Sequence, residues 1–268
     1  ESVMAITTLD GAIAGMQPPR YYIKNASGTL VSGRPHTWWA LGGSPGAGTY
    51  DTTLNGATIT GPVSGQIPRS DPVSGNAYLA RFSGAAPQAG MLLLCDRLWQ
   101  NRLANTTGAQ SITSPTWPAR DRDGTTNGEG VFLALELSTA SSAGTPTCAV
   151  TYTNSAGTGS RTANLIDAFS ATTAVNSFLR YDLQAGDTGI RSIQSANLSA
   201  TLTGGVCNLV AYRVIASLEL TSAYIPNAVD VLTSGMPRIY DGSAPFLVFV
   251  PTSTGATAVS GTYIETQG

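Results

Sequence analysis

The sequence predicts an all-β protein that has a β-sandwich or jelly-roll-like core, a long irregular N-terminal arm and a C-terminal extension. Apolar and polar residues alternate along several short stretches. A half-buried strand requires this period because successive side chains point to opposite faces. Turn signals rich in Gly and Pro, such as Gly204-Gly205 and Gly157-Thr158-Gly159, separate these stretches. Many short strands joined by such turns are typical of a β-sandwich or jelly roll.

The clearest predicted strand begins at Val131, where apolar residues at 131, 133, 135 and 137 fall on one face. Further strands are predicted over 78–82, 91–94, 147–153, 196–202 and 246–250. Residues 206–220 are apolar on both faces in places, which predicts one long central strand or two strands separated by a bend. Residues 96–103 fit either a helix or the continuation of a strand.

The two ends of the chain differ from its middle. Residues 1–75 carry many Pro and Gly residues and few alternating runs, so we predict an extended arm that buries little surface by itself. Residues 76–220 hold the predicted sandwich core, and 221–268 form a C-terminal extension or a final hairpin. A long segment with little secondary structure is uncommon in a compact domain, so we expect the arms to lie on neighbouring subunits of an assembly.

Composition argues against several classes of partner. Charged residues make up 11% of the chain, and its 14 basic and 16 acidic residues give a net charge of −2. No cluster of Lys and Arg could follow a phosphate backbone, so nucleic acid is not an expected partner. No apolar run reaches the ~18 residues of a membrane helix, so no membrane is expected either. Cys95, Cys148 and Cys207 lie far apart in apolar runs, which predicts buried free thiols and a reducing cytoplasm.

The sequence contains no recognisable set of catalytic residues. His36, the single histidine, lies among aromatic residues of the irregular N-terminal part, where we expect packing rather than catalysis. Lys24, the single lysine, does not follow the glycines of a phosphate loop. Carboxylates leave a glycosidase pair formally open, but no motif identifies its two members. We therefore predict a non-enzymatic protein that holds no cofactor.

The most charge-dense stretch is 119–130, "ARDRDGTTNGEG". It is not an EF-hand loop, because counting from Asp121 places glycines at positions 4, 8 and 10 and Phe132 at position 12, where that loop needs Glu. Two hypotheses remain for this stretch: a looser Ca²⁺ site formed by Asp121, Asp123 and Glu129, or a polar loop that binds no metal.

The interpretation preferred for this stretch is a glycine-hinged polar loop that leads into the strand from Val131. Asp and Asn side chains commonly bond to nearby backbone N–H groups in such loops. Arginines alternate with aspartates here, which suits ion pairs within the loop or with a neighbouring subunit. The predicted interface residues are Arg120, Asp121, Arg122 and Asp123.

Several stretches together resemble structural proteins of tailed-bacteriophage virions. They are "AITTLDGAIAGMQPPR", "GNAYLARFSGAAPQAGMLLLCDRLWQN", "TWPARDRDGTTNGEGVFLALELSTA", "YTNSAGTGSRTA" and "LQAGDTGIRSIQSANLS". The resemblance implies an assembly role without catalysis, on the capsid as a decoration or cement protein that stabilises it. It carries over no active-site residues.

This resemblance implies a location in the virion after synthesis in the cytoplasm of the host bacterium. The expected partners are the major capsid protein and further copies of the chain, as a symmetric oligomer and first of all a trimer. A tail, collar or vertex component is the nearest alternative, followed by a receptor- or carbohydrate-binding virion module and by a polysaccharide depolymerase. If the arm binds the capsid, deletion of residues 1–20 leaves a folded protein that no longer binds.

Overall fold

The computed structural model describes residues 6–25, 29–54 and 56–268. These residues form seventeen strands and two short helices, which confirms the all-β prediction. The strands are β1 (Arg20–Asn25), β2 (His36–Thr37), β3 (Gly43–Ser44), β4 (Ala57–Thr58), β5 (Ala77–Ala85), β6 (Gly90–Arg102), β7 (Gly108–Ser111), β8 (Val131–Thr139), β9 (Cys148–Asn154), β10 (Arg161–Leu165), β11 (Phe178–Asp182), β12 (Ile190–Leu198), β13 (Val206–Leu220), β14 (Asn227–Val229), β15 (Arg238–Ile239), β16 (Pro245–Pro251) and β17 (Ala258–Gln267). The helices are α1 (Leu9–Ala14) and α2 (Val231–Ser234).

The strands form two antiparallel sheets. The small sheet has the order β14-β5-β17-β1-β3, with β15 also paired to β5. The large sheet has the order β2-β16-β6-β13-β8-β11-β10-β9-β12-β7, with β4 also paired to β6. Strands close in sequence but in different sheets, such as β5 and β6, carry the chain from one sheet to the other. Two packed antiparallel sheets are the predicted sandwich.

The long strands β6 and β13 take part in two hydrophobic cores. In the first core they pack against the end of the large sheet that holds β9 and β12, through residues such as Leu98, Leu209 and Ile193. In the second core their other halves pack against the small sheet, as Leu92 and Leu218 do. The strands β6 and β13 therefore contribute side chains to both hydrophobic cores.

Two bulges lie where β6 and β13 pass between the cores. Leu98 in β6 and Ile215 in β13 are each an extra residue without a partner on the opposite strand. The two shifts cancel, so the register is the same at both ends of the ladder. A bulge bends its strand and increases the local twist. The cores consequently meet at a bent junction, and the charged residues Asp96, Arg97 and Arg213 lie within it.

The N-terminal segment lies on the chain's own sheets, which corrects the picture of an extended arm. β1 pairs with β17 from Arg20↔Tyr263 to Asn25↔Ala258. Trp38 is buried in the second core. Trp39 and Ile59 are buried in a third cluster, on the face of the large sheet opposite the first core. Bulky side chains from irregular backbone thus cover surfaces that the strands leave open.

The C-terminal segment contributes to both sheets as well, through β16 in the large one and β17 in the small one. Strands from all three predicted ranges share the sandwich, so it extends beyond residues 76–220. The boundaries themselves stay predictions. Residues 1–5, 26–28 and 55 of the predicted arm lie outside the described residues.

The strands predicted from strong alternation of apolar and polar residues are present in the structure. Of residues 96–103, all but the last continue strand β6 and none forms a helix, and residues 206–220 form one strand with a bulge at Ile215. The strand predicted to end at 202 ends at Leu198, because its partner β9 begins opposite that residue at Cys148. Leu202 is nevertheless buried in the first core. All three cysteines are buried and unpaired, as predicted.

Candidate functional site

Asp121 organises the charge-dense loop from its centre. Its carboxylate is fully buried and accepts five hydrogen bonds. Four come from the backbone N–H groups of Asp123, Thr125, Gly128 and Glu129 at 2.6–3.1 Å, and the fifth comes from the Thr125 hydroxyl at 2.7 Å. This confirms the predicted loop in which a carboxylate binds nearby N–H groups. It leaves Asp121 without a free oxygen for a neighbouring subunit.

Arg120 is equally committed to its own chain. Its guanidinium is 2% exposed, lies 3.4 Å from the Asp96 carboxylate and donates to the carbonyl groups of Gly242, Ile59 and Arg97. The prediction that Arg120 and Asp121 contact a neighbouring subunit is corrected for this reason. Alternating charges in the sequence do not reveal that the two side chains point inward.

Arg122 and Asp123 face solvent, with side chains 65% and 55% exposed. Arg122 pairs with Asp123 at 3.2 Å and with Glu129 at 3.3 Å. Their interface role stays a prediction.

The calcium alternative finds no support in this geometry. Asp121 is saturated by N–H and O–H donors, which a cation would have to displace. Within the described ranges, no group of three or more His, Cys, Asp or Glu residues is arranged to hold a metal. Glu129, another residue of the calcium alternative, accepts a hydrogen bond of 2.6 Å from the Thr188 hydroxyl, and this bond is the main cause that lowers its pKa. Its carboxylate therefore already has a donor within the chain.

The loop forms one wall of a groove at the junction between the two cores. The groove has a volume of about 530 Å³. Arg122 and Glu129 line it from the loop, Arg213 and Val214 from β13, and Arg238 from β15; Gly130, Phe132, Asp187, Thr188 and Pro237 complete the lining. We call it the junction groove. Arg213 and Val214 lie directly before the bulge at Ile215, which places the groove at the junction of the two cores.

Tyr240 holds two arginines of the junction groove in place. The guanidinium of Arg213 lies 5.2 Å from the centre of the Tyr240 ring and that of Arg238 lies 4.7 Å from it. The Tyr240 hydroxyl donates to the carbonyl of Arg122 at 3.1 Å. Cations over an aromatic face are attracted by its quadrupole. One ring therefore fixes both guanidinium groups, and its hydroxyl ties it to the charged loop.

The acidic residues of the groove already have partners. Asp187 accepts two hydrogen bonds from Arg161 at 2.9 and 3.0 Å, and others from Tyr152 and Asn154. The bonds from Arg161 are the main cause that lowers the pKa of Asp187 to about 2. Arg213 and Arg238, in contrast, take part in none of the ion pairs among the described residues. The groove thus offers positive charge to an anionic ligand.

A second exposed feature is apolar. Leu9 and Ile13 on α1 are 51% and 55% exposed, and Met16, Tyr21 and Ile23 farther along are also exposed. We call these five residues the N-terminal apolar surface. The segment that carries them runs along β17, to which it is fixed by the pairing of β1 and by the bond from Gln17 N–H to the carbonyl of Glu265. Exposed apolar side chains concentrated on one short segment favour a contact with another protein.

Sequence reasoning missed the groove residues Arg213, Arg238 and Tyr240. Arg213 interrupts an apolar run and is the one signal that a pattern search offers, because a charge in a buried strand needs a structural reason. The other two belong to a Pro- and Gly-interrupted stretch with no motif. His36 is buried and Lys24 donates to the carbonyls of Leu41 and Gly46, so both have packing roles.

Comparisons with known proteins leave the family open. No protein-family model matches the chain. No curated protein sequence matches it either. Among solved structures, the VP2 subviral particle of infectious bursal disease virus is 7% identical with a TM-score of 0.18, over 94% of this chain and 80% of that chain. T=1 particles derived from the same virus are 8% identical with a TM-score of 0.16, over 94% and 77% of the two chains. TM-scores this low do not indicate a shared fold. Among the described residues, no helix is long and apolar enough to span a membrane.

Proposed function

We propose that this protein is a non-enzymatic structural component of a bacteriophage virion that binds the capsid as a decoration or cement protein. The observation that carries the proposal is the N-terminal apolar surface, because five of the thirteen exposed large apolar side chains among the described residues lie on the one short segment 9–23. The stretches that resemble tailed-phage virion proteins support the same role, and the first of them includes Leu9, Ile13 and Met16.

The proposed partner is the major capsid protein, with self-association into a trimer. Interfaces of this kind gain their free energy from burial of apolar side chains over a broad area, ringed by polar groups. The exposed charges beside these apolar side chains are few: Asp10 on α1 and Arg20 at the start of β1, whereas Lys24 of β1 is buried. A surface of this composition suits contact with many identical shell subunits.

Point substitutions test this proposal better than deletion of residues 1–20. The deletion would also remove the bond from the Thr266 hydroxyl to the carbonyl of Ala12 and the bond between Gln17 and Glu265. Loss of binding would then be inseparable from damage to β17. The double variant Leu9→Ser/Ile13→Ser changes only exposed side chains, and Leu232→Ser on α2, where Leu232 is 79% exposed, is the matched control.

Binding is measured by cosedimentation with capsids that lack this protein. Burial of a Leu or Ile side chain contributes about 1.5 kcal/mol or more, so the double variant is expected to bind about 100-fold more weakly. The Leu232→Ser variant is expected to bind as the wild type does. Equal binding of all three proteins would contradict the apolar surface as the capsid contact. Binding of the wild type to purified tails and not to capsids would instead favour a tail, collar or vertex component.

A further inference from the structure

We propose that the junction groove binds an acidic peptide segment of the shell protein, with a carboxylate held between Arg213 and Arg238 and a neighbouring apolar side chain on Phe132, Val214 and Pro237. This inference rests on the proposed function, since it names the chemistry by which the shell is recognised. It adds a charged contact to the apolar one made by α1.

The two arginines are prepared for an anion. Arg213 is 5% exposed, and its Nε is buried without a hydrogen-bond partner. Its Nη2 donates to the carbonyl of Arg238 at 3.1 Å, which ties the two residues together. A buried N–H group without a partner costs free energy comparable to a lost hydrogen bond. Arg213 lines the groove, so a carboxylate bound there would lie beside a guanidinium that has no carboxylate partner in the described part of its own chain.

The positions of the guanidinium groups are fixed before binding. Tyr240 lies against both of them, and the Arg238 side chain also donates to the side-chain oxygen of Asn76. An arginine that is already ordered loses less side-chain entropy when it binds. Its planar set of donors matches the two oxygens of a carboxylate. The groove thus favours a ligand that presents a carboxylate at one defined place.

The size and lining of the groove favour a peptide over a small free anion. A volume of about 530 Å³ lies within the range of pockets that hold several side chains or a small organic molecule. Phe132, Val214 and Pro237 add apolar surface, and Val214 is 39% exposed. A phosphate ion would leave this surface in water. A segment with an acidic and an apolar residue would cover both parts.

Charge within the groove sets where the carboxylate lies. Glu129 and Asp187 would repel it from the side of the groove that they line, although each is compensated by its own donors. Arg122 is shared between Asp123 and Glu129. The side with net positive charge is therefore the one formed by Arg213 and Arg238.

A peptide titration tests the groove without any capsid. The probe is the peptide acetyl-Leu-Glu-Leu-amide, with acetyl-Leu-Gln-Leu-amide and sodium phosphate as comparisons, and the readout is the Nε–H signals of the arginines in an NMR spectrum. We expect the Glu peptide to shift the signals of Arg213 and Arg238, and Arg238→Gln to weaken its binding at least fivefold. The matched control Arg102→Gln changes an arginine outside the groove and should leave binding unchanged.

Several outcomes would overturn the inference. They are equal shifts with the Gln peptide, equal shifts with phosphate, and shifts that spread over arginines outside the groove. The capsid assay then tests the partner: Arg238→Gln should weaken capsid binding, while Leu9→Ser/Ile13→Ser should leave peptide binding intact. Unchanged capsid binding by Arg238→Gln would overturn the shell protein as the source of the segment. Failure of the wild type to bind capsids, with peptide binding intact, would reject the proposed function and with it this occupant.

Discussion

Arg120 meets Asp96 at the junction of the two cores, where Nη1 of the arginine lies 3.4 Å from Oδ1 of the aspartate and both side chains are almost fully buried. Asp96 belongs to the stretch of β6 next to the bulge at Leu98. Arg120 belongs to the loop that forms a wall of the junction groove. This ion pair therefore fixes the loop to the strand that joins both cores.

Asp96→Asn is expected to lower the free energy of unfolding by about 3 kcal/mol, because removal of one charge leaves the other buried and uncompensated. Asp96 also accepts bonds from the Ser243 hydroxyl and the Ala244 N–H, both at 2.9 Å. Urea unfolding followed by tryptophan fluorescence measures the change. The control Asp123→Asn breaks an exposed ion pair and should cost less than about 0.5 kcal/mol. Similar losses in the two variants would show that burial does not set the strength of the Asp96 pair.

Asp121→Asn is expected to cost about 2 kcal/mol, because an amide N–H₂ would face backbone N–H groups that now donate to a carboxylate oxygen. The exposed Asp123→Asn again serves as the control. The melting temperature of the wild type should be the same in EDTA and in Ca²⁺, since the oxygens of Asp121 are occupied by N–H and O–H donors. A melting temperature that falls in EDTA and recovers with Ca²⁺ would restore the calcium site.

The part of the fold that follows from local pattern was predictable. The strand from Val131 and the loop before it depend on neighbours in sequence, so alternation and turn chemistry identify both. The position of the N-terminal segment was not predictable from local pattern. Its strand β1 pairs with a strand about 240 residues away, and Trp38 reaches the second core from irregular backbone. No local period encodes such contacts. The inward direction of Arg120 likewise depends on carbonyl groups of Ile59 and Gly242, which only the folded chain brings together.

The residues of the junction groove also differ in whether the sequence could identify them. Arg122 and Glu129 were identified from their charge-dense stretch. Arg213 and Arg238 lie on β13 and β15 and become neighbours only in the folded chain, where they share the Tyr240 ring and are joined by the bond from Arg213 Nη2 to the Arg238 carbonyl. Arginines far apart in sequence carry no spacing signal, so composition alone does not distinguish a paired arginine from one that is free for a ligand.

Gly128→Ala tests the close contact between the loop and β12. Gly128 has a φ of +80°, and a Cβ there would lie 1.8 Å from the carbonyl oxygen of Ile190. The matched control is Gly186→Ala, because Gly186 has a φ of +87° and a Cβ added there would meet no other atom within 4 Å. The control should cost about 1 kcal/mol from backbone strain alone, and Gly128→Ala about 4 kcal/mol because the loop must also move. Urea unfolding of both variants measures the difference. Equal costs would mean that the loop can leave Ile190 without penalty.

His36 is expected to make stability depend on pH below neutrality. It is fully buried, and its Nε2 accepts the N–H of Val31 at 2.9 Å. Burial, together with the charge of Arg34, lowers its pKa to about 4. The unfolded chain takes up a proton near pH 6.5, whereas the folded chain does so only near pH 4. Protonation therefore favours the unfolded state between these values.

The free energy of unfolding should fall as the pH falls from about 6.5 to about 4, by up to about 3 kcal/mol, and this contribution should not change further below pH 4. Urea unfolding at a series of pH values measures the slope. The variant His36→Gln keeps an acceptor for Val31 and carries no titrating group, so its slope over this range should be smaller by one proton. Identical slopes in the two proteins would show that His36 titrates in the folded state as it does in the unfolded chain.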